Sequence, residues 1–306
     1  MSKYSRRYFV KTSAMFSGAA FAGSLMSFKN AMPLLSFSTL GCPDWSFDEI
    51  VNFAVANNYN GIELRGIKRE LDLTKCNEFN SKENIAATKK ILKDKDLNVA
   101  CLGSSAAMHV KEPTERQKNL DGAKQFIDLA NEFGCPHVRV FPNSLPKDQD
   151  KNETIDLITQ GLITLGDYAK STNVIVLMET HGDLTNTDDL TKIMKAASGA
   201  HVGLVWDVAN MWNVTKQPPK EVYPLLKNYI HHTHIKDNTG SGEKINYCLL
   251  GKGIVPIFEA IDLLYKGGYK GYYSFEWEKL WHPEIAASDI AIGDYPKAMK
   301  EHFSKM

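Results

Sequence analysis

The segment HVRVFPNSLPKDQDKNETIDLITQGLITLGDYAKSTNVIVLME, residues 137–179, has the pattern of a strand, a helix and a second strand. The apolar run HVRVF (137–141) precedes a stretch with the 3.6-residue periodicity of a helix, ETIDLITQGLITLGDYAKS. The run VIVLME (174–179) follows, and it ends on Glu179 with His181 two residues later. A buried ionised carboxylate is costly unless a cation compensates it, so this strand end predicts a cation site.

The same alternation of strand and helix occupies the chain from about residue 34 onward. In order, the eight apolar runs are LLSFSTL (34–40), GIEL (61–64), NVACL (98–102), HVRVF (137–141), VIVLME (174–179), VGLVWD (202–207), IHHTHIK (230–236) and YYSFEW (272–277). The first intervening helix begins at Ser46, and Glu49 three residues later has the spacing of a capping box. Eight such repeats predict an α/β fold, a single-domain (β/α)8 TIM barrel.

A doubly wound open sheet is the main alternative fold. It would carry a glycine-rich phosphate loop after an early strand, and the sequence contains neither GxGxxG nor GxxxxGK. Two segments, TKQPPKE (215–221) and NTGSGEK (238–244), have the composition of loops and follow strands on the expected active face. The sequence therefore favours one barrel with long loops at one end.

The N-terminal region differs in composition from the rest of the chain. SRRYFVK (5–11), followed by TSAMFSGAAFAGSLMSF, resembles a twin-arginine export signal with paired Arg6 and Arg7. The apolar run is too short, and too interrupted by Gly and Ser, to predict a stable membrane span in the mature protein. We expect residues 1–32 to be an export signal, residues 33–306 to form the barrel, and the protein to be exported to the periplasm.

Composition limits the partners of the protein. Lys and Arg number 36 and Asp and Glu number 36, so the formal net charge is zero and no overall basic field favours nucleic acid or an anionic membrane. The five cysteines are spread singly, without a CxxC pair, which argues against a zinc knuckle or a disulfide framework. The sequence leaves open whether the barrel forms a homo-oligomer.

Barrel active sites lie at the C-terminal ends of the strands, so polar residues at these ends should share one rim. These residues are Glu63, Arg65, Ser104, His109, Arg139, Asn143, Glu179, His181, Asp207, Asn210, His234, Lys236, Asp237, Glu276 and Glu278. A single carboxylate at such a position is most often only solvated. However, Glu179, Asp207, His234 and Glu276 end four consecutive strands, and three carboxylates with one imidazole suit a divalent ion such as Mn²⁺, Co²⁺, Mg²⁺ or Zn²⁺.

Four segments in order, VLMETHGD, GLVWDVAN, HTHIKD and GYYSFEWE, resemble the xylose-isomerase-like barrels grouped as sugar phosphate isomerases/epimerases. That group includes ketose 3-epimerases, hydroxypyruvate isomerase and inosose dehydratase. The resemblance covers nearly the whole mature chain, and HIKD followed by GKG (251–253) is its most specific part. It implies one divalent metal ion held by Glu179, Asp207, His234 and Glu276.

The resemblance also implies roles in catalysis. A metal bound to adjacent sugar oxygens stabilises the enediolate that forms when the α-proton is lost. Glu179 and Glu276 would face the substrate from opposite sides, one removing this proton and the other returning it. Ketose epimerases of the group commonly carry a His where this chain has Asn210, which casts doubt on simple ketose epimerisation.

Other rim residues are expected to contact the substrate, each with a structural alternative. His181 would hold a substrate hydroxyl or orient Glu179, and Lys236 would polarise a substrate oxygen or pair with Asp237. Glu63 and Arg65 would contact the far end of the sugar or form an ion pair with each other. The remaining expected substrate contacts are Asn210, His109 and Trp277.

Three functions remain open at this point. The first is a metal-dependent isomerase or epimerase of a sugar, unphosphorylated because no basic cluster or glycine-rich nest marks a phosphate site. The second is a lyase or hydratase acting on a keto-sugar, 3-keto-glycoside or inosose, and the third is a non-catalytic exported sugar-binding protein. A nuclease of the endonuclease IV type shares the barrel, but it needs a His-rich multi-metal site and a basic surface.

Overall fold

Eight parallel strands close into a barrel in the computed structural model, which describes residues 32–306. These strands are β1 (Leu35–Ser38), β2 (Gly61–Leu64), β3 (Asn98–Ala107), β4 (His137–Phe141), β5 (Ile175–Glu179), β6 (Val202–Asp207), β7 (Ile230–Ile235) and β10 (Tyr273–Phe275). Around the barrel their order is β1-β10-β7-β6-β5-β4-β3-β2. The predicted (β/α)8 barrel is confirmed.

Nine helices surround these strands in the described part of the chain. They are α1 (Phe47–Ala56), α2 (Lys82–Asp94), α3 (Pro113–Phe133), α4 (Lys151–Ala169), α5 (Thr187–Ala196), α6 (Val208–Thr215), α7 (Pro219–Leu226), α8 (Ile257–Lys266) and α9 (Ser288–Phe303). Helix α1 begins as expected, because the Ser46 backbone N–H donates to Glu49 Oε2 at 2.7 Å and the Glu49 N–H donates to Ser46 Oγ at 3.4 Å. In residues 32–306, no helix combines the length and the apolar character that crossing a bilayer requires.

The expected export signal, residues 1–32, falls outside the described residues except for Met32. It therefore stays a prediction, as does the boundary between this segment and the barrel.

The two segments expected to be loops contain regular structure. TKQPPKE runs into α7, which begins at Pro219, a residue suited to the first turn of a helix because it lacks an N–H. NTGSGEK lies in a small antiparallel hairpin of β8 (Asp237–Thr239) and β9 (Asn246–Cys248), with a single 3-10 turn at Gly242–Lys244. The last barrel strand is also shorter than predicted, so Glu276 lies one residue beyond its end.

The barrel interior is polar, whereas the layer between strands and helices is apolar. Ile62 and Leu64 are fully buried in the hydrophobic core, and Glu63 between them is fully buried as well. Glu63 Oε2 lies 2.8 Å from Nε2 of His232 on β7. Since β1 and β10 separate β2 from β7 in the sheet, this contact crosses the barrel interior.

Asp237 fixes the β8–β9 hairpin and the glycine-rich turn that follows. Its Oδ2 accepts the backbone N–H groups of Gly251 and Gly253, each at 2.9 Å, and its Oδ1 accepts those of Asn238 and Val255. A Cβ at Gly253 would lie 2.1 Å from Asp237 Oδ1, so glycine is required for this approach. The carboxylate therefore holds the hairpin in place beside the barrel mouth.

We expect Asp237→Ala to lower the free energy of unfolding by about 2–4 kcal/mol, because it leaves several backbone N–H groups without their charged acceptor. The measurement is urea denaturation followed by circular dichroism. Asp44→Ala is the matched control, since Asp44 makes only an exposed ion pair with Arg69 at 2.7 Å and should change stability far less. Equal losses in the two variants would contradict this role of Asp237.

Candidate active site

The structure brings four residues together at the C-terminal ends of neighbouring strands β5, β6, β7 and β10: Glu179, Asp207, His234 and Glu276. All four are buried, and one ligand-type atom from each lies within 4.8 Å of the other three. His234 Nδ1 lies 3.2 Å from Glu179 Oε1 and 3.2 Å from Glu276 Oε1. A tetrahedral ion with bonds of ~2.0–2.1 Å separates its ligands by roughly 3.3 Å, so this spacing fits a divalent metal.

The charges of this cluster also favour the binding of a cation. Burial, together with Glu276 and Glu179, raises the pKa of Asp207 to about 7 despite the nearby Lys236. Burial alone would lower the pKa of His234, but the carboxylates of Glu276, Glu63 and Glu179 raise it well above its usual value. Both shifts favour the protonated forms of Asp207 and His234, and a divalent ion bound to them would favour the deprotonated forms instead.

Each of these residues is held by a contact on its outer side. Arg139 Nε lies 3.1 Å from Glu179 Oε2, and Arg139 is itself fixed because its Nη1 donates to the Ser104 carbonyl at 2.7 Å. The backbone N–H of Asn210 donates to Asp207 Oδ1 at 2.9 Å. Such outer contacts orient metal ligands and tune their affinity.

Lys236 is the outer partner of Glu276. Its ammonium lies 2.5 Å from Glu276 Oε2, 2.8 Å from Asp207 Oδ2 and 2.7 Å from Glu278 Oε1. The alternative that Lys236 pairs with Asp237 is wrong, because the Asp237 carboxylate accepts backbone N–H groups instead. Burial would lower the pKa of Lys236, but the three carboxylates raise it well above its usual value, so the ammonium persists.

Two residues that surround this cluster, Arg139 and Glu278, had no role predicted from the sequence. Arg139 is the one charged residue in the apolar run HVRVF, and that contrast was the available signal. Glu278 follows Glu276 by two residues in FEWE, the spacing that places side chains on the same face of an extended chain. Burial and Glu276 raise the pKa of the Glu278 carboxyl above its usual value, against the opposing effect of Lys236.

Glu63 lies beneath the cluster, away from the mouth of the barrel. Its side chain has no exposed surface, and its oxygens lie 3.1 Å from His234 Nε2. Contacts with His232, His234 and Ser274 occupy its carboxylate, which argues against the expected substrate contact. The alternative, an ion pair between Glu63 and Arg65, is not formed at hydrogen-bond distance. Arg65 Nη2 instead donates to Ser105 Oγ at 3.1 Å. Burial and the adjacent Arg139 lower the pKa of Arg65 to about 10.

The expected aromatic substrate contact, Trp277, is placed elsewhere. Its side chain is buried, it stacks on Phe275 at 5.8 Å between ring centroids, and its Nε1 donates to the Ala286 carbonyl at 3.1 Å. Glu276 and Glu278, on either side of Trp277 in the sequence, carry the charged contacts with Lys236. Trp277 is therefore a core residue that supports the Glu276–Glu278 segment.

His181, His109 and Asn210 lie on loops and helices beyond the strand ends. The His181 ring packs against Phe141 at 4.8 Å between ring centroids, and burial lowers the pKa of His181, which favours the neutral imidazole. His109 follows β3 and is partly exposed, and Asn210 lies in the first turn of α6 with partial exposure. The side-chain Nδ1 atoms of His181 and His109 are buried and have no hydrogen-bond partner in residues 32–306.

Comparison with known proteins places these features in context. A family profile described as "Xylose isomerase-like TIM barrel" matches residues 51–294. The 3-dehydroshikimate dehydratase of Bacillus anthracis is 26% identical over 231 residues, which cover 71% of this chain and 78% of that protein.

Two solved structures share the fold at low identity. The probable 3-DHS dehydratase of Bacillus anthracis has a TM-score of 0.73 and 18% identity, over 87% of this chain and 98% of that one. The IOLI protein, solved with a bound zinc atom, has a TM-score of 0.75 and 15% identity, over 89% of this chain and 98% of that one. At these identities the structural likeness concerns the fold alone.

We expect divalent metal binding to weaken as the pH falls from 8 to 6, because Asp207 and His234 must lose protons before they can bind a cation. Affinity should fall about tenfold per pH unit for each proton released, and Asp207 contributes to this slope only below about pH 7. Calorimetric titration of metal-free protein with Mn²⁺ or Zn²⁺, in buffers of different ionisation enthalpy, measures the affinity and the number of protons released.

A control separates this site from ordinary histidine–carboxylate pairs. His302 Nε2 lies 2.7 Å from Asp262 Oδ1, remote in sequence from the cluster. His234→Gln should abolish tight binding and His302→Gln should leave it unchanged. Affinity that does not vary with pH would contradict the proton release.

Proposed function

Because this chain belongs to the xylose isomerase-like TIM barrel family, we propose that it is a metal-dependent enzyme that removes the proton next to the carbonyl of an unphosphorylated keto-sugar or related ring. The observation that supports this most directly is the convergence of a complete donor set with two further charged groups, Lys236 and Glu278. A protein that only bound sugar would not need the Lys236 ammonium or the Glu278 carboxyl beside the metal ligands, since burying each of these groups costs free energy.

Glu179, Asp207, His234 and Glu276 would hold one divalent ion. When bound, this ion would polarise the substrate carbonyl and stabilise the negative charge of an enediolate. Mn²⁺, Co²⁺, Mg²⁺ and Zn²⁺ all suit this set of oxygen and nitrogen ligands.

The two glutamates are the candidate bases. Burial opposes ionisation, but His234 and Arg139 lower the pKa of Glu179 to about 2. His234 and Lys236 likewise hold the pKa of Glu276 below its usual value in spite of burial. Both carboxylates are therefore ionised at neutral pH, and either can accept the α-proton from a substrate placed beside it.

Elimination of water is the outcome that the charged groups favour. After the α-proton moves to a glutamate, the bond between the β-carbon and its hydroxyl breaks, and the hydroxyl leaves as water once it gains a proton. Lys236 can donate a hydrogen bond to that oxygen, and the Glu278 carboxyl beside it holds a proton to higher pH than an ordinary carboxyl does. The 26% identity to a dehydratase supports this outcome, as does Asn210 in place of the His common in ketose epimerases.

Isomerisation or epimerisation is the second candidate. Glu179 Oε1 and Glu276 Oε1 each lie 3.2 Å from His234 Nδ1, so two carboxylates flank one point. Epimerisation would require one of them to return a proton to the opposite face of the same carbon. The reverse reaction of the first candidate, hydration, uses the same groups as elimination.

We expect wild-type protein loaded with Mn²⁺ to incorporate deuterium from D₂O into a substrate from a panel of 3-keto-glycosides, inososes, free ketoses and 3-dehydroshikimate. Glu179→Gln should lower the rate of this exchange by about 10²–10⁴, because a general base contributes that much. Glu259→Gln, on the surface helix α8, is the matched control. Substrate binding by the wild type without exchange would indicate a binding protein.

Lys236→Met distinguishes the two reactions. If water is eliminated, this variant should still exchange the α-proton when saturated with metal but should release far less dehydrated product, measured by NMR. Loss of exchange and product in equal proportion would contradict a role for Lys236 on the departing hydroxyl. A deuterated epimer as the main product of the wild type would favour the second candidate.

We also propose that the twin-arginine segment exports the protein to the periplasm, supported only by the sequence of residues 5–11. Changing both Arg6 and Arg7 to Lys should keep a tagged full-length chain in the cytoplasm, as measured by cell fractionation. Lys11→Arg is the control and should be exported normally. Equal export of the double variant would contradict this route.

A further inference from the structure

We propose that Glu63 is a positioning residue for the metal ligand His234, selecting its tautomer so that Nδ1 faces the ion. This inference rests on the metal-binding part of the proposed function. Glu63 has no role in the proposed reaction, and it contacts the donor set only through the imidazole of His234.

The two ring nitrogens of His234 face opposite surroundings. Nε2 lies 3.1 Å from both oxygens of Glu63, and Nδ1 lies 3.2 Å from one oxygen of Glu179 and one of Glu276. A neutral imidazole carries one N–H, and an ionised carboxylate can only accept. Glu63 therefore keeps the proton on Nε2, which leaves the lone pair of Nδ1 directed at the donor set.

Glu63 is itself held by two further side chains from the barrel interior. His232 Nε2 lies 2.8 Å from Glu63 Oε2, and Ser274 Oγ donates to the same oxygen at 3.1 Å. His232, His234 and Ser274 are all fully buried, and Ser274 is opposite His234 in the strand register. The carboxylate is therefore fixed before any metal arrives, and in this dry environment its hydrogen bonds are strong.

The same three side chains, Glu63, His232 and His234, have the spacing of a cation site. Their facing atoms already lie at hydrogen-bond distances of 2.8–3.1 Å, shorter than the roughly 3.3 Å that separates the ligands of a tetrahedral ion. His232 and Ser274 hold the Glu63 carboxylate beside His234 Nε2, so we assign Glu63 the role of a hydrogen-bonded support for His234 rather than that of a second metal ligand.

The test compares Co²⁺ affinity in wild type, Glu63→Gln, Glu63→Ala and Ser36→Ala. Loss of a supporting carboxylate behind a ligating histidine lowers metal affinity by about 10–100-fold. We expect a loss in this range for Glu63→Gln, and a larger loss and a changed visible Co²⁺ spectrum for Glu63→Ala. Ser36 is a fully buried serine on β1 without a hydrogen-bond partner in residues 32–306, so Ser36→Ala controls for a change in the barrel interior.

A second measurement needs no variant. In metal-loaded wild type labelled with ¹⁵N-histidine, the NMR spectrum of His234 should show the proton on Nε2. A proton on Nδ1, or Glu63 variants that fold with wild-type affinity, would overturn the role of Glu63 while leaving metal binding intact. Lower thermal stability with unchanged Co²⁺ affinity would also overturn it, since that result describes a purely structural residue. Wild type that binds no divalent ion would overturn both this inference and the proposed metal chemistry.

Discussion

The packing of three buried carboxylates around one buried imidazole is the central electrostatic constraint on this barrel. Glu179, Asp207 and Glu276 are each buried beside His234, and like charges at such distances disfavour one another's ionisation. Within the protein the repulsion is relieved by Lys236, by Arg139 and by protons retained on Asp207 and His234. A divalent cation would relieve it more completely, and that single electrostatic requirement links the donor spacing, the surrounding cations and the proposed chemistry.

The barrel can hold these buried charged groups because its interior is polar and its main hydrophobic core lies elsewhere. Stability comes largely from the outer layer, where apolar residues such as Ile62, Val176 and Leu204 pack in the continuous hydrophobic core. The interior is then free to hold hydrogen bonds between strands that are not neighbours, such as those between β2 and β7. Buried polar networks of this kind are favourable only when their members are satisfied, and Glu63 meets that condition through His232, His234 and Ser274.

Elimination and epimerisation begin with the same step and differ in what happens to the proton and the neighbouring hydroxyl. In the proposed chemistry the two glutamates would serve both reactions, whereas Lys236, which lies 2.7 Å from Glu278, would assist the departure of water. One donor set can therefore support several reactions when the residues just outside it change. In this chain those residues include Asn210 after β6, Lys236 after β7 and Glu278 after β10.

The sequence by itself determined the architecture and the donor set. Eight apolar runs separated by helical periodicity predict the barrel, because each pattern depends on local chain geometry, and the ends of its last four strands predict Glu179, Asp207, His234 and Glu276. The tertiary structure alone decided what supports them. Sequence spacing could not show that Glu63 crosses the interior to His234, that Lys236 meets Glu278 rather than Asp237, or that Trp277 turns into the core. These contacts join residues up to 171 positions apart, and such pairs are set by how the closed barrel brings its strands together, which no local pattern encodes.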